Sequence, residues 1–363
     1  MTGLRVVHAD GDPLRRGRIV GRATGDLIER SLEFYRRLLA RRGVRPTHLP
    51  RLLGPFLDAA ERALPAHVTT LWGMAAGADV PFWELFAVNA WEELEPLLAR
   101  EGAGEGPARA TPAAERCSTV TVSAAGVGLL GHNEQWFAGD AGNVVVVVEA
   151  GGEGEPALVS PTVACCLPAV GLNAHRTAQG IQSLTAADDR AGVPRVLVSR
   201  HALAASGPDD AVRRAGLPGR AGGYGHSFAF PGGRACTVES SATRLAVLPG
   251  GGAHTNHYRD GELAWLAPPP SPGSAARLER LEALLAERAP ATPGAMMALL
   301  ADHHDGDGQV CQHGARDGDE PDDEASEVLF SLVCDVEAGQ VWVAPGRPCE
   351  TAFEEVELPV RRR

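Results

Sequence analysis

Apolar residues recur at helical spacing in the first hundred positions. Leu27, Ile28, Leu32, Phe34 and Tyr35 are followed by Leu38 and Leu39, the period of a helix with one buried stripe. A second amphipathic stretch runs from Leu52 to about Ala76. A third opens near Pro81, a favourable first-turn residue, and carries Phe82, Leu85, Phe86, Val88 and Asn89. From residue 117 the period shortens to two. CSTVTVSA alternates up to a turn at Gly126, and VGLLGHN, NVVVVVEA, ALVSPTVACC and AQGIQSL read as further strands. Val144 to Val148 is apolar without alternation, as in a strand buried on both faces of a layered sheet. Helical patterns return near 194–205, 208–215, 274–289 and 293–302. HSFAF, ACTVES, RLAVL, VLFSLVCDV and QVWVAPG complete the set of strands. Strands, helices and strands again predict an α+β or layered αββα architecture.

Between the helical and β-rich parts lie residues 101–115, EGAGEGPARATPAAE, which show no apolar period and read as an exposed linker. It ends two residues before Cys117. Composition narrows the chemistry. With 44% hydrophobic and 22% charged residues the balance is globular. A formal charge of −12 argues against a nucleic-acid partner, which needs a basic face. All 34 basic residues are Arg, which excludes Schiff-base, P-loop and Ser–Lys chemistry. The longest apolar run is too short to cross a bilayer and the first residues show no secretory pattern, so a soluble, cytoplasmic protein with no membrane partner is expected. Residues 304–326 are acidic and turn-rich, and His303, His304, Asp305 and Asp307 read as part of an exposed loop.

Seven cysteines form no C-x-x-C pair, so neither a zinc ribbon nor a thioredoxin motif is present. Only Cys117, first residue of the β-rich block, has a setting that suggests reactivity. A thiol attacks as thiolate and needs a base. If the Arg116–Cys117 bond were cut, Cys117 would carry its own α-amine, with a pKa of about 7.7–8.0 and within reach of its own sulfur. The sulfur's attack on the Arg116 carbonyl would make that cut, through a thioester that water hydrolyses. Position alone leaves a second reading open, a small buried residue that begins a strand.

GRATGDLIERSLEFY (21–35) and LWGMAAGADVPFWELFAVNAWEEL (71–94) are followed by CSTVTVSAAGVGLLGHNEQW (117–136). GLNAHRTAQGIQSL (171–184), GVPRVLVSRHAL (192–203), AGGYGHSFAF (221–230), HTNHYRD (254–260) and VWVAPGRPCE (341–350) then follow in order. Taken together, these motifs resemble the acyl-coenzyme A:6-aminopenicillanate acyltransferase family of autoproteolytic acyltransferases and hydrolases, within the N-terminal-nucleophile superfamily. The resemblance implies a four-layer αββα fold in which a helical α chain, 1–116, packs with a β chain, 117–363, into one domain. It implies hydrolysis or acyl transfer at an acyl amide through a Cys117 thioester, with coenzyme A or its acyl thioester as co-substrate in the transfer case. Position by position, Cys117 is the nucleophile, Asn256 an oxyanion-hole donor and Asn133 a support of the site. No metal or organic cofactor is implied.

In one place the chain departs from the family. An Asp, whose carboxylate is thought to orient the nucleophile's amine, is replaced by Gln135, which can hydrogen-bond but carries no charge. Gln135 then acts as a neutral orienter, or another acid such as Asp140 or Glu239 substitutes, or processing is weakened. Glu134 supplies a carboxylate one residue earlier, on the opposite face of a strand. His175, Glu239 and His254 are further pocket candidates. Two alternatives accompany this reading. One is an unprocessed, non-catalytic relative that binds an amide-like ligand. The other is an uncleaved Cys–His enzyme dependent on His132 or His254.

Overall fold

Asp12 begins the first helix by accepting a 2.8 Å hydrogen bond from the Arg15 N–H, with Pro13 in the first turn. The computed structural model describes residues 3–101, 117–152, 154–303, 308–314 and 322–359. Linker residues 102–115 and Arg116 lie outside them, and Glu101, read as the first linker residue, ends the last N-terminal helix. Helices α1 (Pro13–Arg41), α2 (Leu49–Ala63), α3 (Pro65–Ala78), α4 (Phe82–Asn89) and α5 (Trp91–Glu101) fill the N-terminal part. The predicted 52–76 stretch is two helices, because Pro65 ends one and opens the next. α1 and α3 touch backbone to backbone: a Cβ on Gly17 would lie 2.1 Å from the Thr70 carbonyl oxygen, and one on Gly73 2.3 Å from that of Leu14. A four-residue strand, β1 (Val6–Ala9), precedes them. It is too short to show a period in the sequence.

One sheet has eight strands in the order β1, β4 (Val144–Glu149), β5 (Leu158–Val163), β6 (Gly171–Asn173), β7 (Ala178–Leu184), β8 (Gly223–Phe230), β9 (Arg234–Ser240) and β10 (Leu245–Pro249). Only its β1–β4 pair is parallel. The other sheet is antiparallel, in the order β11 (Gly252–His254), β2 (Ser118–Ala124), β3 (Val127–Phe137), β12 (Ser326–Asp335), β13 (Gln340–Ala344) and β14 (Glu354–Val356). The remaining helices are α6 (Arg195–Leu203), α7 (Pro208–Ala215), α8 (Gly261–Ala264), α9 (Pro272–Glu287) and α10 (Pro293–Leu300).

Side-chain contacts give the layer order. On β3, Gly131 faces α10, where a Cβ would meet the Met296 sulfur at 2.5 Å. The other face of β2 and β3 meets the eight-stranded sheet, with Gly180 of β7 against Thr119 and His132. On the far side of that sheet, Phe228 and Val238 pack against Ala202, Ala211 and Ala215 of α6 and α7. α1 joins this outer layer through a buried ionic cluster, in which Arg200 contacts Glu149 and Glu155 at 2.8 Å each and Arg16 approaches the same pair at 3.7 Å. The result is the four-layer αββα arrangement expected from the sequence. β4 is buried along its whole length, as the run of valines predicts. Among the described residues, no helix is long and apolar enough to cross a membrane.

Candidate active site

Cys117 stands immediately before β2, opposite Glu134 in the register set by the Ser118–Asn133 pair. Its backbone is left-handed, at φ 78°, which costs an L-residue energy and is held only where the surroundings enforce it. Its sulfur is 3.4 Å from Glu134 Oε1. The second carboxylate oxygen, Oε2, is 3.0 Å from His132 Nε2. His132 Nδ1 is 2.9 Å from the Thr119 hydroxyl, and the Gln182 side-chain N–H donates to that hydroxyl. The Gln182 side-chain oxygen Oε1 accepts from Ser227, whose hydroxyl meets that of Thr237 at 3.0 Å.

Donor counting assigns the protons. The Glu134 carboxylate can only accept, so the neutral His132 ring carries its hydrogen on Nε2 and donates it there; Nδ1 is then the acceptor for the Thr119 hydroxyl, which itself accepts from Gln182. Glu134 is left facing the thiol with Oε1 as an acceptor. Burial pushes the Cys117 thiol well above its ordinary pKa, and the Glu134 charge adds to the rise; a hydrogen bond from the Gln135 backbone N–H opposes it. The resting sulfur is therefore protonated, with a carboxylate placed to receive its proton.

The segment before the linker also reaches this place. Glu92, in the first turn of α5, accepts a hydrogen bond from Ser183 at the end of β7, and its charge raises the pKa of both Cys117 and Tyr224. The Ser183 carbonyl in turn accepts from the Asn256 amide at 3.3 Å. Asn256 Oδ1 accepts from Arg277 Nη2 at 2.7 Å, while Arg277 Nε donates to the hydroxyl of Ser118, the residue after the cysteine, at 3.0 Å. Arg277 is only 1% exposed. On α9, Arg277 and Ser274 are one helical turn apart, and Ser274 Oγ accepts from the Asn256 backbone N–H at 2.9 Å.

The candidate residues thus divide. Cys117, Glu134 and Asn256 belong to this network. Glu239 and His254 lie behind it. The Glu239 carboxylate accepts from His254 Nε2 at 2.7 Å and from the backbone N–H groups of Arg259 and Asp260 at 2.7 and 2.9 Å. Burial raises the pKa of this carboxyl, but these hydrogen bonds and His254 outweigh burial and hold it below the ordinary range. The pair anchors the loop that carries Asn256.

Asn133 and Gln135 turn to the other face of β3. Asn133 Nδ2 donates to the Leu300 and Val310 carbonyls at 3.0 and 2.9 Å, and Gln135 Nε2 donates to the same Val310 oxygen at 3.2 Å. Neither side chain meets the sulfur, because alternation along the strand points them at α10. Asp140 is buried elsewhere, accepting from Ser31 and Tyr35 of α1 at 2.6 and 2.9 Å. His175 is exposed on the β6–β7 turn, at the opposite end of β7 from Ser183. Arg116 lies outside the described residues.

Sequence reading did not single out Glu92, Thr119, Gln182, Ser183 or Arg277. Arg277 stands in RLERLEALLAER, which reads as an ordinary charged helix face. Thr119 had a usable signal, since it lies two residues beyond Cys117 and so on the same strand face.

The sequence profile described as acyl-coenzyme A:6-aminopenicillanic acid acyl-transferase matches residues 124–349, more than half of the chain and beginning seven residues after Cys117. No curated protein matches the chain in sequence. Among solved structures it is similar to penicillin V acylase from Agrobacterium tumefaciens, with 11% identity, a TM-score of 0.46, and coverage of 67% of this chain and 86% of that one. It is also similar to a mutant of conjugated bile acid hydrolase from Clostridium perfringens, with 9% identity, a TM-score of 0.45, and coverage of 67% and 97%. Likeness at this level says nothing about substrate.

Proposed function

The chain belongs to the acyl-coenzyme A:6-aminopenicillanic acid acyl-transferase family, and from that premise we propose that it is a self-processing amide hydrolase or acyltransferase whose nucleophile is Cys117. The observation that carries this reading is the Cys117 sulfur held 3.4 Å from Glu134 Oε1 on a left-handed residue at the start of a strand. Before cleavage no α-amine exists, and Glu134 is the acceptor that takes the thiol proton as sulfur attacks the Arg116 carbonyl. The C–N bond then breaks, the Cys117 nitrogen leaves as an amine with a proton, and water releases Arg116 from sulfur. The freed amine becomes the base for later turnovers. Sulfur attacks the substrate's acyl carbon, the amine product leaves, and water or a second nucleophile takes the acyl group. Asn256, oriented by Arg277, donates to the oxyanion.

The test is N-terminal sequencing and intact mass of the purified protein, with an acyl-amide screen. Two fragments meeting at Cys117 support the reading. Cys117→Ala leaves one chain and lowers amide turnover by at least about a thousandfold; cleavage of that variant at the same bond would assign the cut to an external protease. One observation favours a second reading. The ligating atoms of Cys117, His132 and Glu134 all lie within 4.8 Å of one another, which suits an uncleaved thiol–carboxylate–imidazole enzyme. That reading requires full activity in a single intact chain and its loss in His132→Ala.

A further inference from the structure

Four side chains from three separate stretches converge on the outer side of the six-stranded sheet. His303 and His313 bring their Nε2 atoms to 3.0 Å. Cys311 and Cys349 bring their sulfurs to 3.5 Å. Cys311 and Cys349 lie 3.9 and 3.3 Å from His313 Nε2, and one ligand atom from each of the four lies within 4.8 Å of all the others. A tetrahedral zinc with Zn–S of about 2.3 Å and Zn–N of about 2.0–2.1 Å separates its ligand atoms by roughly 3.8 Å for S–S, 3.6 Å for S–N and 3.3 Å for N–N. The two observed S–N separations, 3.9 and 3.3 Å, lie on either side of the tetrahedral value, and the S–S and N–N separations, 3.5 and 3.0 Å, are each about 0.3 Å shorter than theirs.

We propose that His303, Cys311, His313 and Cys349 form a structural zinc site that ties the segment after α10 to the β13–β14 connection. Two thiolates and two imidazoles are a soft to borderline donor set, which selects zinc over magnesium or calcium. Binding expels two thiol protons, and the two thiolate charges cancel that of the metal, so Cys311, fully buried, can be a ligand without leaving net charge inside.

The surroundings supply outer partners. Cys311 is fixed beside His303 by its backbone N–H to the Asp302 carbonyl, 3.1 Å. Cys349 sits in a turn closed by Glu350 and Thr351 N–H bonds to the Arg347 carbonyl at 3.0 and 2.9 Å. Arg347 donates to His313 Nδ1 at 2.9 Å and pairs with Glu350 at 2.8 Å, and Glu350 is 3.8 Å from the same nitrogen. Zinc on Nε2 places the ring proton on Nδ1, where the Glu350 carboxylate is the available acceptor and Arg347 withdraws to it. A disulfide between Cys311 and Cys349 would use the same sulfurs, but it gives no reason for two imidazoles to point their nitrogens into the same space. The site also bears on the sheet. It holds residues 311 and 313 on either side of Gln312, next to Val310, whose carbonyl anchors Asn133 and Gln135 behind Glu134.

The proposal is independent of the role of Cys117, and the test separates the two. Full-length protein purified without chelator is assayed for metal by mass spectrometry, stripped, and reloaded with cobalt as the spectroscopic probe. One zinc per chain, and cobalt bands of a tetrahedral thiolate site, are expected in the wild type and equally in Cys117→Ala. In the exposed-position variants Cys349→Ser and His303→Ala, cobalt should bind roughly a hundredfold more weakly. Metal retained in both of these variants but lost in Cys117→Ala overturns the assignment. So does a metal-free chain lighter by two hydrogens and restored by reductant, which would be the disulfide. Failure to load one cobalt after reduction overturns it as well.

Discussion

The two faces of β3 carry different work. On the face toward the eight-stranded sheet, His132 and Glu134 form a proton-bearing line with Cys117, Thr119 and Gln182, every link a donor meeting an acceptor. On the face toward α10, Asn133 and Gln135 donate to main-chain carbonyls of α10 and of the following loop and hold the outer layer in place. On the proposed reading, one residue of displacement along the strand separates chemistry from scaffolding. A family position that usually carries Asp can therefore become Gln135 without emptying the site, because a carboxylate stands next to it on the face that meets the sulfur.

The largest effect of a substitution on this strand should come from Glu134→Gln. It keeps shape and removes both the acceptor for the thiol proton and the charge that His132 faces. Self-cleavage and turnover should fall by about 10²–10⁴-fold, the range for loss of a general base. The sign of the thiol's response is fixed separately. Glu134's charge helps raise the Cys117 pKa, so its removal should move the pH profile of Cys117 alkylation to lower pH. Burial, the larger cause, persists, and the midpoint should stay above that of a free cysteine. An unshifted alkylation profile together with normal cleavage would return the inner face to mere packing.

Gln135→Asp probes the outer face. The new carboxylate would be buried and directed at the Val310 carbonyl, an acceptor that can give it no proton. An uncompensated buried charge costs about 3 kcal/mol or more, read as a lower denaturation midpoint. The family pattern alone would have Asp preserve or speed cleavage; the geometry expects no gain. Faster processing at undiminished stability would mean that this face does reach the reaction, and the division between the faces would fail.

Much of this organisation could be read from the chain alone. Helical and alternating periods placed nearly every long element, because burial on one side imposes those periods. Motif order singles out Cys117 and Asn256, and the fold brings the two into one hydrogen-bonded neighbourhood through Ser118 and Arg277. What escaped notice is non-local. Arg277 looks like a solvated helix charge, and only the tertiary fold shows it buried between Ser118 and Asn256. The quartet proposed to hold zinc is non-local as well. No two of its cysteines have C-x-x-C spacing, and His303 reads with its acidic neighbours as surface loop. Strand parity was legible, and it separates Glu134 from Gln135.

Gly180→Ala should have the smallest effect of these and be the most discriminating. Gly180 is where β7 crosses the inner face, and an added Cβ would lie 2.6 Å from Thr119 Oγ1 and 3.1 Å from His132 Nδ1. Thr119 cannot swing aside freely, since its branched side chain has few rotamers and its hydroxyl is bonded on both sides. Either the sheets separate slightly or Thr119 leaves His132. Overpacking of this kind costs about 1–3 kcal/mol. If the line from Gln182 to Glu134 orients the carboxylate, cleavage should slow by more than this loss of stability explains, and Thr119→Ser, which keeps the hydroxyl and removes the methyl 2.8 Å from the new Cβ, should restore part of the rate in the double variant. If Gly180→Ala loses stability but cleaves at the wild-type rate, the inner-face line contributes packing only, and the contrast between the two faces reduces to the single Cys117–Glu134 contact.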